Sequence, residues 1–536
     1  MRLRSPSPLT ALILVFVISF AFFLFLQGSR VFADPDSFYH IKVAQLIGEQ
    51  GFLGTFPWLT YTKLASHYTD QHFLYHVFLL PFVTLFPPIF GAKVATALIN
   101  AALITLFGAF LIKLRMRFWL VYVGILLATN PFLFRINLVK APGLSIILLL
   151  IGWMLLVRRK PWALAALGFV YVWTYGGFTL LIVLAGVYAA VQALYSMYHE
   201  RAFAKVFRRV VPFRWHLRSL FRRTPLVLVG AAAAGVGLGV IANPFFPYNL
   251  SFYWQQLVQI GIVNFQSVIN VGGEWRPYGF VELIAGSVFV SIALLFALLA
   301  FLFRGRRQTP ESWTLLVMTV FFFLITLKSR RYVELYVPFA VFFAAYAHRD
   351  ALRGVSTKDI VRTARNYFLR HTVVAVLLIV YFFIAAFTIA IRDTKNLYSD
   401  LKNGTSVEFF AGVGAWLKQN TPKDSIVVTS DWDEFPPIFY QNSWNRYIVG
   451  LDPTFMYVYD AALYERWAKL TMGQRTADAT AIITKDLHSR IVIVTKDHQA
   501  FRQTMQEQKS FAVMYEDDDA WIYQLKADAA WPEQPK

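Results

Sequence analysis

Two carboxylates stand two residues apart in Asp34-Pro35-Asp36-Ser37-Phe38-Tyr39-His40, directly after the first long apolar run. At a membrane surface such a pair can chelate a divalent cation or hold a hydroxyl acceptor for deprotonation. The alternative is a solvated helix start, with Asp36 capping a helix over Ser37–Glu49. A second polar cluster, Tyr68-Thr69-Asp70-Gln71-His72, lies further along, and the spacing of His67, His72 and His76 fits no strong zinc pattern. Asn270-Val271-Gly272-Gly273-Glu274-Trp275-Arg276-Pro277 places one carboxylate after two glycines, as a mobile loop or a tight turn. Arg135, Lys140, Lys328, Arg330 and Arg331 sit at those ends of apolar runs where topology disfavours positive charge. Arg330-Arg331-Tyr332-Val333-Glu334 leads straight into an apolar run, so Glu334 lies at the membrane edge, in a functional role or in a structural Arg–Glu pair. Outer carboxylates with arginines at helix ends suit an anionic, lipid-linked phosphate. Arginine grips phosphate through two donors, and a bound Mg2+ or Mn2+ would neutralise it further.

The elements that must position these groups follow from composition. The chain has 536 residues, 57% hydrophobic, 17% aromatic and 15% charged. Apolar runs of membrane-spanning length, ~20 residues, recur to about residue 391. This composition makes a polytopic membrane protein and excludes disorder, a DNA-binding module and an ordinary cytosolic enzyme. The net charge of +20 is dispersed in short clusters between apolar runs, which argues for topology signals and against nucleic acid. There is no cysteine, hence no disulfide or thiol chemistry.

The runs fall near 9–29, 72–91, 92–112, 118–134, 143–157, 162–176, 178–197, 225–242, 283–303, 312–327, 332–347 and 371–391. The first follows Arg2 and Arg4 and reads as a retained anchor. The basic connectors Lys113–Arg117, Arg158–Lys160, Arg201–Arg223, Arg304–Arg307 and His348–Arg370 should all be cytoplasmic, like the N-terminus. They cannot all be so if every run crosses. The conflict disappears if 72–91, with its histidines and Pro81, Pro87 and Pro88, lies in the outer interface. About eleven spans then remain, with outer loops 30–91 and 243–282 and an outer C-terminal tail. The tail is polar, with β-rich runs at Ser425–Ser430, Arg490–Thr495, Phe511–Tyr515 and Trp521–Leu525 and helical patterns between them. It is expected to form a small α/β domain of ~130 residues. The domains expected are therefore 1–391 in the membrane and 392–536 outside.

In this order of features the sequence resembles the membrane-embedded type C glycosyltransferases, most closely the catalytic subunit of oligosaccharyltransferase. The shared features are one span, an outer loop with Asp34 and Asp36, an interfacial helix at about 72–84, an outer loop carrying Glu274, a late outer arginine and an outer C-terminal domain. The resemblance implies Asp36, with Asp34 beside it, as the metal-binding or acceptor-activating carboxylate. It implies Glu274 as a loop carboxylate that closes over the site and Arg331 or Arg330 as holder of the donor phosphate. Ser430-Asp431-Trp432-Asp433-Glu434-Phe435 stands where the family has Trp-Trp-Asp-Tyr-Gly, and Trp432 and Asp433 match it as acceptor-binding residues. The connector Arg135-Ile136-Asn137-Leu138-Val139-Lys140 lacks the family's acidic pair. Either Asp70 completes a metal site with Asp36, or Lys140 supplies the positive charge at the donor phosphate.

The expected activity is transfer of a sugar or oligosaccharide from a polyprenyl-phosphate or -diphosphate carrier to a protein, glycan or lipid acceptor. It would take place on the outer face of a prokaryotic inner or plasma membrane, among membrane lipids and without nucleic acid. Transferases using a polyprenyl-phosphate monosaccharide, of the protein mannosyltransferase or aminoarabinose transferase type, are the nearest rival, and a lipid-linked saccharide transporter is the rival from another class.

Overall fold

The computed structural model describes residues 7–206, 223–263 and 265–526. Arg2, Arg4 and most of the basic segment Arg201–Arg223 lie outside the described residues. Among those described, six helices are long and apolar enough to cross a membrane: Pro8–Leu26, Pro88–Lys113, Gly176–Tyr198, Val288–Arg307, Pro310–Lys328 and Thr372–Lys402. Shorter apolar helices, Phe73–Leu85, Pro142–Val157, Pro161–Thr174 and Pro225–Ile241, pack among them. The chain is a multi-pass membrane protein.

Local chemistry sets the helix starts. The helices at Pro8, Pro88, Pro142, Pro161 and Pro310 each open on a proline, whose missing N–H would be unpaired there in any residue. Ser7 and Thr309 add side-chain caps by accepting from Thr10 N and Ser312 N. The segment expected not to cross the membrane is the 13-residue helix Phe73–Leu85, with Pro81 inside it. The run expected as one span at 118–134 is instead two helices, Trp119–Leu127 and Asn130–Asn137, meeting at 69°. Pro131 has no N–H to give to Leu127 O, so the first helix cannot run on, and the second starts afresh at Asn130 after an extended Thr129.

The centre is the helix Val333–Ala351, buried along nearly its whole length. The apolar run expected to end at 391 continues as one helix, Thr372–Lys402, so the boundary drawn from composition falls inside it. Beyond that helix lies a five-stranded sheet in the spatial order Arg446–Tyr447, Ile426–Val428, Ile491–Thr495, Ala520–Leu525, Phe511–Glu516. The first three strands are parallel and the last two antiparallel. All four β-rich runs of the sequence became strands.

Two joints fix this domain to the membrane part. Val31–Phe32 pairs antiparallel with Thr405–Ser406. The first outer loop also runs along the sheet edge, where Thr60 N donates to Tyr447 O at 2.8 Å and Tyr447 N to Trp58 O at 2.9 Å.

Helices Pro161–Thr174 and Arg223–Ile241 meet along glycines. A Cβ at Gly235 would stand 2.0 Å from Ala165 O, and one at Gly239 2.9 Å from Phe169 O. Small residues at such contacts let membrane helices pack closely without a hydrophobic driving force. Gly235→Leu should therefore force the pair apart at a cost of about 2 kcal/mol or more. A thermal unfolding midpoint in detergent equal to wild type would show that the contact does not matter.

Candidate functional site

The helix ends nearest the sheet domain and that domain enclose a cavity of about 450 Å³. On one wall Lys140 Nζ lies 2.7 Å from Asp34 Oδ2 and 2.8 Å from Asp36 Oδ2. Lys140 follows the helix Asn130–Asn137, whose last residues are tied down by two neighbouring helices. Asn100 Nδ2 donates to Ile136 O at 2.9 Å, and Gln27 Nε2 to Asn137 O at 2.6 Å. Asp36 opens the helix Asp36–Gln50, whose cap differs from the expected one. Asp34 Oδ1 accepts from Asp36 N at 3.0 Å, which leaves Asp36 in the first turn facing Lys140. Burial pushes the Asp36 carboxyl up to about 6, against the pull of Lys140 and with the added push of Asp34. Lys140, for its part, is held charged: burial opposes ionisation, but Asp34, Asp36 and Glu274 outweigh it.

Lining the same cavity is a ring of ionisable groups. Glu274 takes Arg135 Nη1 on one oxygen at 2.7 Å and Arg331 Nη1 on the other at 3.2 Å. Arg135 Nε reaches Glu334 Oε2 at 3.0 Å, and Arg331 Nη2 donates to Tyr175 Oη at 2.9 Å. Burial disfavours the Glu274 carboxylate, but Arg331, Lys140 and Arg135 together hold it ionised well below the usual range. Its backbone is clamped too, since Ser329 Oγ donates to Glu274 O and Arg331 stacks over Trp275.

The sheet domain closes the cavity with Asp431, Trp432, Asp433 and Asp452. Trp432 Nε1 donates to Asn270 O at 3.2 Å, with its ring against Gly272, so this domain latches the segment that carries Glu274. Burial, with Asp431 beside it, raises the Asp433 carboxyl to about 6. Behind these, Glu434 accepts from Ser430 N and Thr495 Oγ1 and is pushed by burial to about 8.

Asp70 is elsewhere engaged. Its oxygens accept from His76 Nδ1 at 2.6 Å and His72 N at 2.8 Å, and His76 Nε2 meets His40 Nδ1 at 2.8 Å. Burial, then the neighbouring imidazoles, keep His40 and His72 well below their usual pKa. Among the described residues no three His, Cys, Asp or Glu side chains gather as a metal ligand set. The expected pairing of Asp36 with Asp70 around a cation does not form, because an ammonium already bridges Asp34 and Asp36 while Asp70 serves the histidines. The donor set does not fit a divalent ion of that kind.

Three solved structures share this arrangement of helices and outer domain. The apo oligosaccharyltransferase of Archaeoglobus fulgidus aligns with TM-score 0.60 at 13% identity, over 96% of this chain and 74% of that one. The same archaeal enzyme, tethered to an acceptor peptide containing the NVT sequon, aligns with TM-score 0.52 at 13% identity over 96% and 74%. ArnT from Cupriavidus metallidurans, bound to undecaprenyl phosphate, aligns with TM-score 0.54 at 14% identity over 98% of this chain and 100% of that one. The chain has the type C glycosyltransferase fold. No protein-family model matches the sequence, and no curated protein does.

Of the residues expected from sequence, the fold brings Asp34, Asp36, Lys140, Glu274, Arg331, Trp432 and Asp433 to one cavity. Arg330 is turned away. It pairs with Glu282 at 3.1 Å, stacks over Tyr278 and lines a second cavity of about 980 Å³. That cavity shares Asp34, Arg135, Gly273 and Glu274 with the first, so the Gly273-Glu274 segment is the partition between them. Arg135 and Glu334 join the site, as their positions at membrane edges had signalled. Tyr175, Asp431 and Asp452 were not foreseen. The one local signal for Tyr175 is the Gly176-Gly177 break that follows it, and for Asp452 the Pro453 that ends the extended chain.

Trp432→Ala should unlatch residues 270–276, raising their amide hydrogen exchange at least tenfold while the sheet strands stay protected. Unchanged exchange in that segment would mean that Trp432 does not hold it.

Proposed function

We propose that this protein is a membrane glycosyltransferase that moves a sugar from a polyprenyl-phosphate-linked donor to an acceptor on the outer face. The observation that carries the reading is that the Asp34–Lys140–Asp36 cluster and the Arg135–Glu274–Arg331 ring line one cavity at the helix ends. A carboxylate poised near neutrality stands beside fixed cations, which is what an acceptor proton and a departing phosphate require of one site. The undecaprenyl phosphate in ArnT, which has the same fold, supports a polyprenyl carrier.

In the proposed reaction the acceptor oxygen attacks the anomeric carbon as Asp36 takes its proton. The bond from that carbon to the carrier phosphate breaks, and the polyprenyl phosphate leaves with the electron pair. Asp34 orients Asp36 through its backbone N–H and shares Lys140 with it. Lys140, Arg135 and Arg331 stabilise the charge that grows on the departing phosphate, and Glu274 keeps the two arginines aligned. The acceptor occupies the central cavity against Trp432 and Asp433. The donor headgroup enters from the larger cavity beyond Glu274, past Arg330. Because a lysine supplies charge at the carboxylates, a monophosphate donor, with less charge to neutralise, suits the site better than a diphosphate.

Asp36→Asn should reduce transfer at least 100-fold while leaving expression intact. The readout is the profile of lipid-linked and surface glycans in a host lacking the gene and rescued with either form. Equal rescue by both, with lipid-linked precursor trapped on the inner leaflet of the unrescued host, would indicate transport instead. Wild-type turnover should survive excess EDTA; strict dependence on Mg2+ or Mn2+ would overturn the role given to Lys140.

The pH dependence follows from the same cluster. Asp36 must be ionised to accept a proton, so kcat/KM should fall as pH drops through about 6. Lys140→Met removes the cation that favours the carboxylate, so the acid limb of the variant should move to higher pH. A limb that stays in place would show that Lys140 does not tune Asp36.

A further inference from the structure

The central helix Val333–Ala351 begins at the site, beside Glu334, and ends roughly 27 Å away at 1.5 Å per residue. At that far end is a separate cavity of about 560 Å³, lined by Arg115, Arg117, Tyr122, His348, Arg349 and Arg353 among others. Its acidic lining residues are Glu311 and Asp350. Asp350 is 1% exposed, and its charge is already spent on Thr309 N, Thr309 Oγ1, Ser312 Oγ and Arg349. Arg115, Arg117 and Arg353 have no carboxylate partner among the described residues.

Arg117 is the informative member. Its Nη2 donates to Val355 O at 2.5 Å, which fixes the guanidinium, while Nη1 is buried with no hydrogen-bond acceptor. A buried charged donor without an acceptor is costly and calls for one. The turn that carries these arginines is itself unusual: Arg115 and Phe118 have φ of 55° and 57°, a region that non-glycine residues rarely adopt. Basic residues at this end agree with a cytoplasmic placement. That rule asks only for charge in a loop, however, and not for a guanidinium pinned in a cavity wall with a donor left unpaired.

We propose that this cavity binds a phosphate-bearing anion, either the headgroup of an anionic phospholipid or free phosphate. Arg117, held at Nη2 by Val355 O, would turn Nη1 out to the anion as one donor, with Arg115 and Arg353 closing on the remaining oxygens as mobile cations.

The full-length protein, delipidated in detergent, would be titrated with phosphatidylglycerol, phosphatidylcholine and inorganic phosphate. Native mass spectrometry would report bound lipid, and the thermal unfolding midpoint would report stabilisation. A preference for phosphatidylglycerol over phosphatidylcholine of tenfold or more, lost in the Arg117→Gln, Arg353→Gln double variant, would support the proposal with a lipid as ligand. Stabilisation of wild type by phosphate without lipid preference, lost in the same variant, would support it with free phosphate as ligand. Neither effect in wild type, or either effect undiminished in a folded variant, would overturn it. Arg117→Lys, which keeps the charge but loses the planar fork, guards against a misfolded double variant. It should bind at least threefold more weakly than wild type, and equal binding would also overturn the proposal.

Discussion

Burying an ammonium between two carboxylates is the constraint around which the outer end of this molecule is built. Taking three such charges partly out of water is tolerated only with close and well-directed partners. Lys140 therefore needs both Asp34 and Asp36, and these need a helix that starts at Asp36 and no later. The connector bearing Lys140 must in turn be held to within a fraction of an ångström, the task of Gln27 and Asn100 from two other helices. The neighbouring ring obeys the same rule, with Glu274 and Glu334 answering Arg135 and Arg331. Removing Lys140 would leave two carboxylates without their cation, and removing Glu274 would take from Arg331 its carboxylate partner, so these two groups hold the balance.

The outer domain takes part in that balance. Trp432 reaches from it to the backbone beside Glu274, and the first outer loop borders its sheet. The segment that separates the two cavities is thus gripped from the membrane side by arginines and from the other side by an indole. Whatever shifts the outer domain must also shift Glu274, and with it the alignment of Arg135 and Arg331.

Much of this was legible in the sequence, because its signals are local. The strands, the short helix before Pro87 and the unusual charges at helix ends all follow from alternation, proline and charge sign. What escaped depends on distance in space. Asp34 and Asp36 invite a metal until a lysine a hundred residues on is found between them. Arg330 and Arg331 are adjacent and indistinguishable by type, yet the 3-10 turn Arg330–Tyr332 sends them to different cavities. The bend after Leu127 was marked by Asn130-Pro131 and hidden by the unbroken apolarity around it. The end of the apolar run at residue 391 marks a change of solvent, and the backbone ignores it.

That uninterrupted helix, Thr372–Lys402, also works as a ruler. Its apolar stretch accounts for the ~30 Å of hydrocarbon, and the polar stretch from Arg392 to Lys402 adds about 16 Å at 1.5 Å per residue. The strand pair at Val31–Phe32 and Thr405–Ser406 fastens the top of this mast to the first outer loop, so its height is set by covalent geometry. The strand pair thereby sets how far the sheet domain stands from the apolar stretch of that helix. Under the proposed function the acceptor reaches the cavity alongside the bilayer, a route that suits a flexible tail, a glycan end or a lipid headgroup better than a bulky folded domain.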